Sequence, residues 1–319
     1  TTNSSSSNAS ATNEPLSAAA LKAKREKAVQ QLQQLMRKGT QTESDFNLMA
    51  CWGYVRAKFP QRARTSFLAL HHFLFDSGSA HRNVRKNRTM VCSFGGGPAN
   101  DIFGAIVALN AFQMHSGVVS NAECHVFDWV DSWRPIVQAA SSALGTQIGY
   151  HHTDIRQPLA DDSNHALRNL LDSDFDTKIL RPSSYLFVFS FVLLECLFAR
   201  ENTGGEGSRD ENMFTDLMDR FFLQCSKGVD RDSRTAGADK SAVFLIIDAG
   251  QKSAVSAADH ERIPVTGSLR SVVHFVEQRK NLGLYPQNVR CDAHNLDKSN
   301  VSLIVRWRES DEGDTNDSD

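Results

Sequence analysis

The sequence has 319 residues, 40% of them hydrophobic and 23% charged, and its 35 Lys and Arg nearly balance 37 Asp and Glu for a net charge of −2. That composition is globular and excludes fibrous, collagen-like and wholly disordered chains. No apolar run reaches the ~18 residues of a membrane span, since the richest, Tyr185 to Phe198, is shorter and contains Glu195. Near-neutral charge taken alone argues against nucleic acid as a partner.

Residues 1–14 are rich in Ser, Thr and Asn and lack the apolar content that offsets chain entropy, which predicts a disordered tail and no secretory signal. From Pro15, Leu16, Leu21, Val29, Leu32, Leu35 and Met36 recur at helical spacing up to Gly39. Ser44 and Asp45 can cap a second helix carrying Phe46, Met49, Trp52 and Val55. Pro60 is expected to break it, with Phe67, Leu70, Phe73 and Leu74 marking a third that stops near Gly78. Residues 15–88 therefore read as a helical region.

The pattern changes at Thr89. Apolar runs at Thr89–Phe94, Cys124–Phe127, Gln147–Tyr150, Tyr185–Phe191 and Ala242–Ile247 read as strands. Helical spacing follows over Ile102–Met114, Trp133–Leu144, Leu193–Leu197, Met213–Leu223 and Ser268–Lys280. Strands apolar on both faces, alternating with helices, predict a parallel sheet covered on both sides. Asn288–Ala293 and Val301–Trp307 read as a closing antiparallel pair. Residues 200–212 and 226–240 are polar, Gly-containing insertions, and 309–319, with six acids and no base, is a solvated tail. The expected organisation is thus 1–14, 15–88, 89–308 and 309–319. Its main domain is an α/β, Rossmann-like, seven-stranded, mostly parallel sheet closed by an antiparallel pair.

The six cysteines (Cys51, Cys92, Cys124, Cys196, Cys225, Cys291) form no C-x-x-C pair and sit mostly in apolar segments. This is the pattern of buried reduced thiols in an intracellular protein, not of a zinc site or a disulfide framework.

The chemistry concentrates after the strands. Val91-Cys92-Ser93-Phe94-Gly95-Gly96-Gly97-Pro98-Ala99-Asn100-Asp101 is a strand running through glycines into a helix. There a ligand can approach the backbone and helix N–H groups without a Cβ between. In an open α/β sheet, ligands sit outside the carboxyl ends of the strands. Asp128 ends the second strand, where a carboxylate can accept both hydroxyls of a ribose, and Asp154 follows the third, where it can accept from an adenine amino group. The fourth strand leads through Ser190 and Phe191 to Glu195.

In this ordered set, over roughly 89–307, the sequence resembles the class I S-adenosylmethionine-dependent methyltransferases. The resemblance implies that the turn of Gly95, Gly96 and Gly97 packs against the methionine part of S-adenosylmethionine, with Ser93, Pro98 and Asp101 also in the cofactor site. It further implies that Asp128 holds the ribose and Asp154 the adenine, with Trp129, Ile155 and Ser190 also in the cofactor site. Two positions depart from the family pattern. Ser93 replaces an acid two residues before the first glycine, with Asp101 available to substitute for it, and Ala99 replaces a third glycine. A redox Rossmann protein fits less well, because the sixth position of its G-x-G-x-x-G pattern would be Asn100.

Three segments are also similar to a narrower group, the fungal-type large-subunit rRNA uridine-N3 methyltransferases. They are Gly95–Ile102, Phe127–Trp133 and Phe189–Phe198, with Leu194 where that group has Asn. The group implies an RNA substrate and a nuclear or nucleolar location. A uridine N3 must lose a proton, for which Glu195 is the candidate base, with His151 and His152 as alternatives.

Charge distribution allows RNA despite the net value. Between Tyr54 and Arg88 stand Arg56, Lys58, Arg62, Arg64, Arg82, Arg85, Lys86 and Arg88 against Asp76 alone, so this stretch is locally +7 and the rest of the chain −9. With Trp52, Tyr54 and Phe59 nearby, such a stripe can track phosphates and stack a base. It serves equally as a solvated helix face. No metal and no membrane are implied. Methyl transfer to a small molecule or protein, and an inactive scaffold that binds a partner, remain open alternatives.

Overall fold

The structure is a computed structural model and describes residues 17–37, 45–76, 89–116, 122–176, 184–192, 212–227, 241–249, 267–297 and 299–307. The chain divides into two compact units, Thr1–Ala57 and Lys58–Asp319.

The first unit holds α1 (Ala18–Arg37) and the start of α2 (Leu48–Asp76). Ser17 caps α1, its hydroxyl accepting from the Ala20 N–H. Asn47, not Ser44 or Asp45, caps α2, its Oδ1 accepting from the N–H groups of Met49 and Ala50 at 3.0 Å each. The second and third expected helices are one, because α2 runs through Pro60. An interior proline costs a helix about 3 kcal/mol. Packing offsets that cost here: Pro60 is exposed, while Ala63, Ala69, Leu70, Phe73 and Leu74 beyond it are buried. The helical region expected over 15–88 thus spans both units.

In the second unit, seven strands form one sheet: β1 (Thr89–Phe94), β2 (Ala122–Asp128), β3 (Ile148–His152), β4 (Ser184–Ser190), β5 (Ser241–Ala249), β6 (Val289–Asn295) and β7 (Asn300–Trp307). Their order is β3-β2-β1-β4-β5-β7-β6, with β7 antiparallel to both neighbours and the other pairs parallel. This is the expected mostly parallel, Rossmann-like sheet with its closing pair. Every residue of β1 and β4 is buried. Successive side chains point to opposite faces, so both faces of the sheet are covered. Strand order reverses between β1 and β4, which opens the crevice where α/β sheets take ligands.

Four further helices follow the expected positions: α3 (Asn100–Ser116), α4 (Arg134–Leu144), α6 (Met213–Lys227) and α7 (Gly267–Asn281). One more, α5 (His165–Asp176), was not expected from the sequence. Leu167, Leu170 and Leu171 carry its helical spacing, and Asp161 caps the 3₁₀ turn that leads into it. α3 lies very close to α2, since a Cβ on Gly104 would collide with the backbone of Ala63 and Phe67.

The interior is markedly aromatic. The register pairs Phe127 with His151, Phe94 with Phe127, and Phe94 with Phe189. The four rings stack in a row across β3, β2, β1 and β4, with centroid separations of 4.8, 5.2 and 4.6 Å. Phe214 of α6 closes the row edge-on against Phe189 at 5.0 Å. Each such pair contributes about 0.5–1.5 kcal/mol beyond burial.

Cys51, Cys92 and Cys124 are buried, Cys291 is half-buried, and all four are free thiols. Burial pushes Cys124 and Cys291 up to about 12, so both stay protonated and unreactive. No helix among the described residues is long and apolar enough to cross a membrane.

Candidate cofactor-binding site

The residues that follow the ring row line up at one level. Since Phe94 pairs with both Phe127 and Phe189, Gly95 comes level with Asp128 and Ser190, and Asp128 pairs with His152. The structure therefore brings Gly95, Asp128, the start of the 153–156 turn and Ser190 to the same edge of the sheet.

The glycine turn adopts conformations that only glycine holds without strain. Gly95 and Gly97 have φ of +60° and +45°. A Cβ on Gly95 would stand 2.5 Å from Val192 Cγ1 and 3.2 Å from Ile155 Cδ1, and one on Gly97 3.1 Å from the Trp133 indole. Ala99 has a glycine-like φ of 67° although it carries a Cβ. That conformation costs the backbone about 1 kcal/mol.

Asp128 ties this turn to the next. Its Oδ2 accepts from the Gly97 N–H at 2.9 Å and its Oδ1 from the Val130 N–H at 3.0 Å. The Tyr150 hydroxyl, 2.7 Å from the Val130 carbonyl and 3.2 Å from that of Asp128, holds the second turn from β3. Neither Tyr150 nor Val192 was singled out in the sequence as a site residue, although Val192 lies within the Phe189–Phe198 segment.

Ser93 donates to Asp101 Oδ2 at 2.9 Å, which places a carboxylate beside the residue two positions before the first glycine. Asp101 Oδ1 also accepts from Ser66 of α2 at 2.7 Å and from the Asn100 amide at 2.8 Å. Complete burial pushes the Asp101 carboxyl above its ordinary range, against the pull of the nearby hydroxyls and the charge of Arg62. The buried Ser190 hydroxyl faces this carboxyl as well and pulls its pKa in the same direction as the hydroxyls of Ser66 and Ser93. Next to it Phe191 has a φ of 62°, with its N–H held by the Ile247 carbonyl at 2.8 Å. Strained backbone of this kind gathers at functional sites.

Asp154 is half-buried, and Arg156 covers it. Arg156 Nε and Nη2 donate to the two carboxylate oxygens at 2.7 and 2.8 Å, and the guanidinium lies 4.5 Å over the Trp129 ring. Thr153, between Asp154 and the sheet, is buried with an unpartnered hydroxyl. The edge thus presents carboxylates after β2 and β3, the unpartnered hydroxyl of Thr153, the Ser190 hydroxyl and a glycine turn. That set of acceptors and small contacts fits an adenosyl group carrying an amino-acid tail.

Glu195 lies outside the described residues. Of its alternatives, His151 is hydrogen-bonded to His125 at 3.0 Å and stacked in the ring row. Burial, with the charges of His125 and Arg134, lowers its pKa from 6.5 to about 4, too low for an effective base near neutrality. His152 is exposed, 3.5 Å from Asp131.

Arg82, Arg85, Lys86 and Arg88 lie outside the described residues. Arg56, Lys58 and Arg64 are exposed, whereas Arg62 is half-buried with its guanidinium 3.5 Å over the Phe191 ring. Within the first unit, Leu21, Lys24, Arg25, Leu48, Trp52 and Arg56 line a groove of about 770 Å³. Trp52 is 45% exposed there.

No protein-family model matches the sequence, and no curated protein does. Among solved structures, the chain is similar to a SAM-dependent methyltransferase from Aquifex aeolicus at 13% identity, over 71% of this chain and 86% of that one, with a TM-score of 0.33. An rRNA methylase from Streptococcus thermophilus is similar at 11% identity, over 78% and 97%, with a TM-score of 0.34. A plantazolicin methyltransferase in complex with SAH is similar at 8% identity, over 90% and 99%, with a TM-score of 0.36. Likeness at this level carries no weight for function; the strand order and the geometry of the site do.

The neutral His151 makes stability depend on pH. The unfolded chain takes up this proton near pH 6.5 and the folded chain only near 4, so the fold loses stability as pH falls through that window. In denaturant titrations, His151→Gln should flatten this loss between pH 6.5 and 4. Parallel losses in variant and wild type would contradict the assignment.

Proposed function

We propose that this chain is an S-adenosylmethionine-dependent methyltransferase. The observation that carries the reading is the alignment, at the carboxyl edge of one parallel sheet, of the Gly95–Gly97 turn with Asp128, Asp154 and Ser190. When bound, S-adenosylmethionine supplies a methyl group activated on a sulfonium. Asp128 receives the ribose hydroxyls, Trp129 and Ile155 bound the adenine, and Asp154 accepts from its amino group. The Gly95–Gly97 turn, Pro98, Ser93 and Asp101 receive the methionine end. The protein's part in such a reaction is positioning and exclusion of water, because the methyl donor is already activated.

The acceptor proposed is RNA, and more narrowly a uridine N3 of large-subunit rRNA, as the resemblance of the three motif segments implies. A uridine acceptor needs its N3 proton removed, and Glu195, five residues beyond Ser190, is the residue proposed for that step. The first unit supports an RNA acceptor. Its groove carries Lys24, Arg25 and Arg56 and no carboxylate, and Trp52 on it is part-exposed, an aromatic surface on which a base can stack.

Calorimetry with S-adenosylhomocysteine tests the cofactor. Wild type should bind, and Asp128→Asn, which keeps one carbonyl acceptor for the turns, should bind at least tenfold more weakly (about 1.4 kcal/mol). Equal affinity would remove Asp128 from the ribose. For RNA, affinity should fall with salt, and a triple Arg56, Lys58 and Arg64 to Ala variant should make that fall shallower, by roughly one in the log–log slope for each phosphate that is no longer neutralised. An unchanged slope would contradict the RNA reading.

A further inference from the structure

Three features of the 129–156 edge belong together. The Trp129 indole is half-buried with one face taken by the Arg156 guanidinium at 4.5 Å. Asp154 Oδ1 accepts from Arg156 Nε at 2.7 Å and from the Arg156 backbone N–H at 3.1 Å, and Oδ2 accepts from Nη2 at 2.8 Å. The Asp154 side chain is only 17% exposed and that of Arg156 36%. A planar group that stacks on an indole and donates two N–H bonds to one carboxylate is what Arg156 presents here. An adenine ring with its 6-amino group offers the same two properties, a flat face and N–H donors. Both need the same indole face and the same carboxylate oxygens.

We infer that Arg156 is the resident occupant of the adenine seat: its guanidinium fills the place between Trp129 and Asp154, and the cofactor's base enters by displacing it. The inference rests on the methyltransferase reading and adds a specific role for a residue outside the family motif. Displacement is feasible because the arginine is the more exposed partner and sits at the end of a flexible stem, so it can swing into water while Asp154 stays fixed. In the ligand-free protein Arg156 keeps a carboxylate in a partly buried site from standing uncompensated. It also keeps the indole face covered. The exchange trades a charge-assisted bidentate contact for a neutral donor, so it lowers cofactor affinity. It also makes that affinity depend on salt, because screening weakens the ion pair and not the adenine contact.

The test is calorimetric titration of S-adenosylhomocysteine into the full-length wild type, Arg156→Ala and Arg156→Lys, at low and high salt, with the melting temperature of each protein recorded without ligand. Arg156→Ala should bind about three- to tenfold more tightly than wild type at low salt, the range set by a partly exposed ion pair and one cation–π contact. Arg156→Lys, which keeps the charge but loses the planar fork, should lie between the two. Raising salt should narrow the gap. Equal or weaker binding by Arg156→Ala would overturn the inference, since it would make Arg156 a bystander or a partner of the bound cofactor. If that variant does not fold, the lysine variant decides in the same directions. Absence of binding by the wild type as well would overturn the methyltransferase reading itself, an outcome distinct from wild-type binding that the substitutions leave unchanged.

Discussion

A row of stacked rings, His151–Phe127–Phe94–Phe189, crosses four parallel strands one residue below the candidate site. Everything above it depends on that row. Flat rings in register hold β3, β2, β1 and β4 at one height, so the residues that follow leave the sheet together. His151 is the one ionisable member, and burial lowers its pKa to about 4. The chain then turns four times at a single edge, with Asp128 fastening the first turn to the second through the N–H groups of Gly97 and Val130. The same carboxylate that the methyltransferase reading gives to a ribose is thus also part of the scaffold. That double duty is why an amide is the informative substitution there and an alanine is not.

A second buried carboxylate, Asp101, does the corresponding work below the glycine turn. Through Ser66, Ser93 and Asn100 it joins α2, β1 and the start of α3. Three hydroxyl and amide donors and the nearby Arg62 charge compensate a fully buried acid that would otherwise be costly. Around it the backbone accepts strain at Ala99 and Phe191, both with positive φ. Arg62 covers the Phe191 ring, so a residue that looks from sequence like part of a phosphate-tracking stripe instead packs against the end of β4.

What was legible in the sequence follows from what kind of interaction fixes each element. Strands buried on both faces, such as β1 and β4, announce themselves as short apolar runs, and the closing pair β6–β7 was readable beside them. Acids at the ends of successive strands were readable too, because their order survives translation into a shared edge. Pro60 misled, since a local penalty was outweighed by packing of Leu70, Phe73 and Leu74, which no window around the proline reveals. α5 went unnoticed because its apolar face is only three leucines wide. The clasp made by Asp128 could not be read, as its partners are backbone N–H groups that carry no residue identity. The cover of Arg156 over Asp154 and Trp129 was hidden for a different reason. The arginine sits two residues after the acid, a spacing that says nothing until the turn brings Trp129 beneath it.

The central claim is that the edge bounded by Gly95–Gly97, Asp128, Asp154 and Ser190 takes S-adenosylmethionine. A crystal structure of the protein grown with S-adenosylhomocysteine addresses it most directly. The ligand is expected with its ribose at Asp128, its base between Trp129 and Asp154 with Arg156 swung away, and its amino-acid tail at the glycine turn. Ligand bound elsewhere, or an edge left unchanged with Arg156 still on Asp154 at saturating ligand, would contradict it.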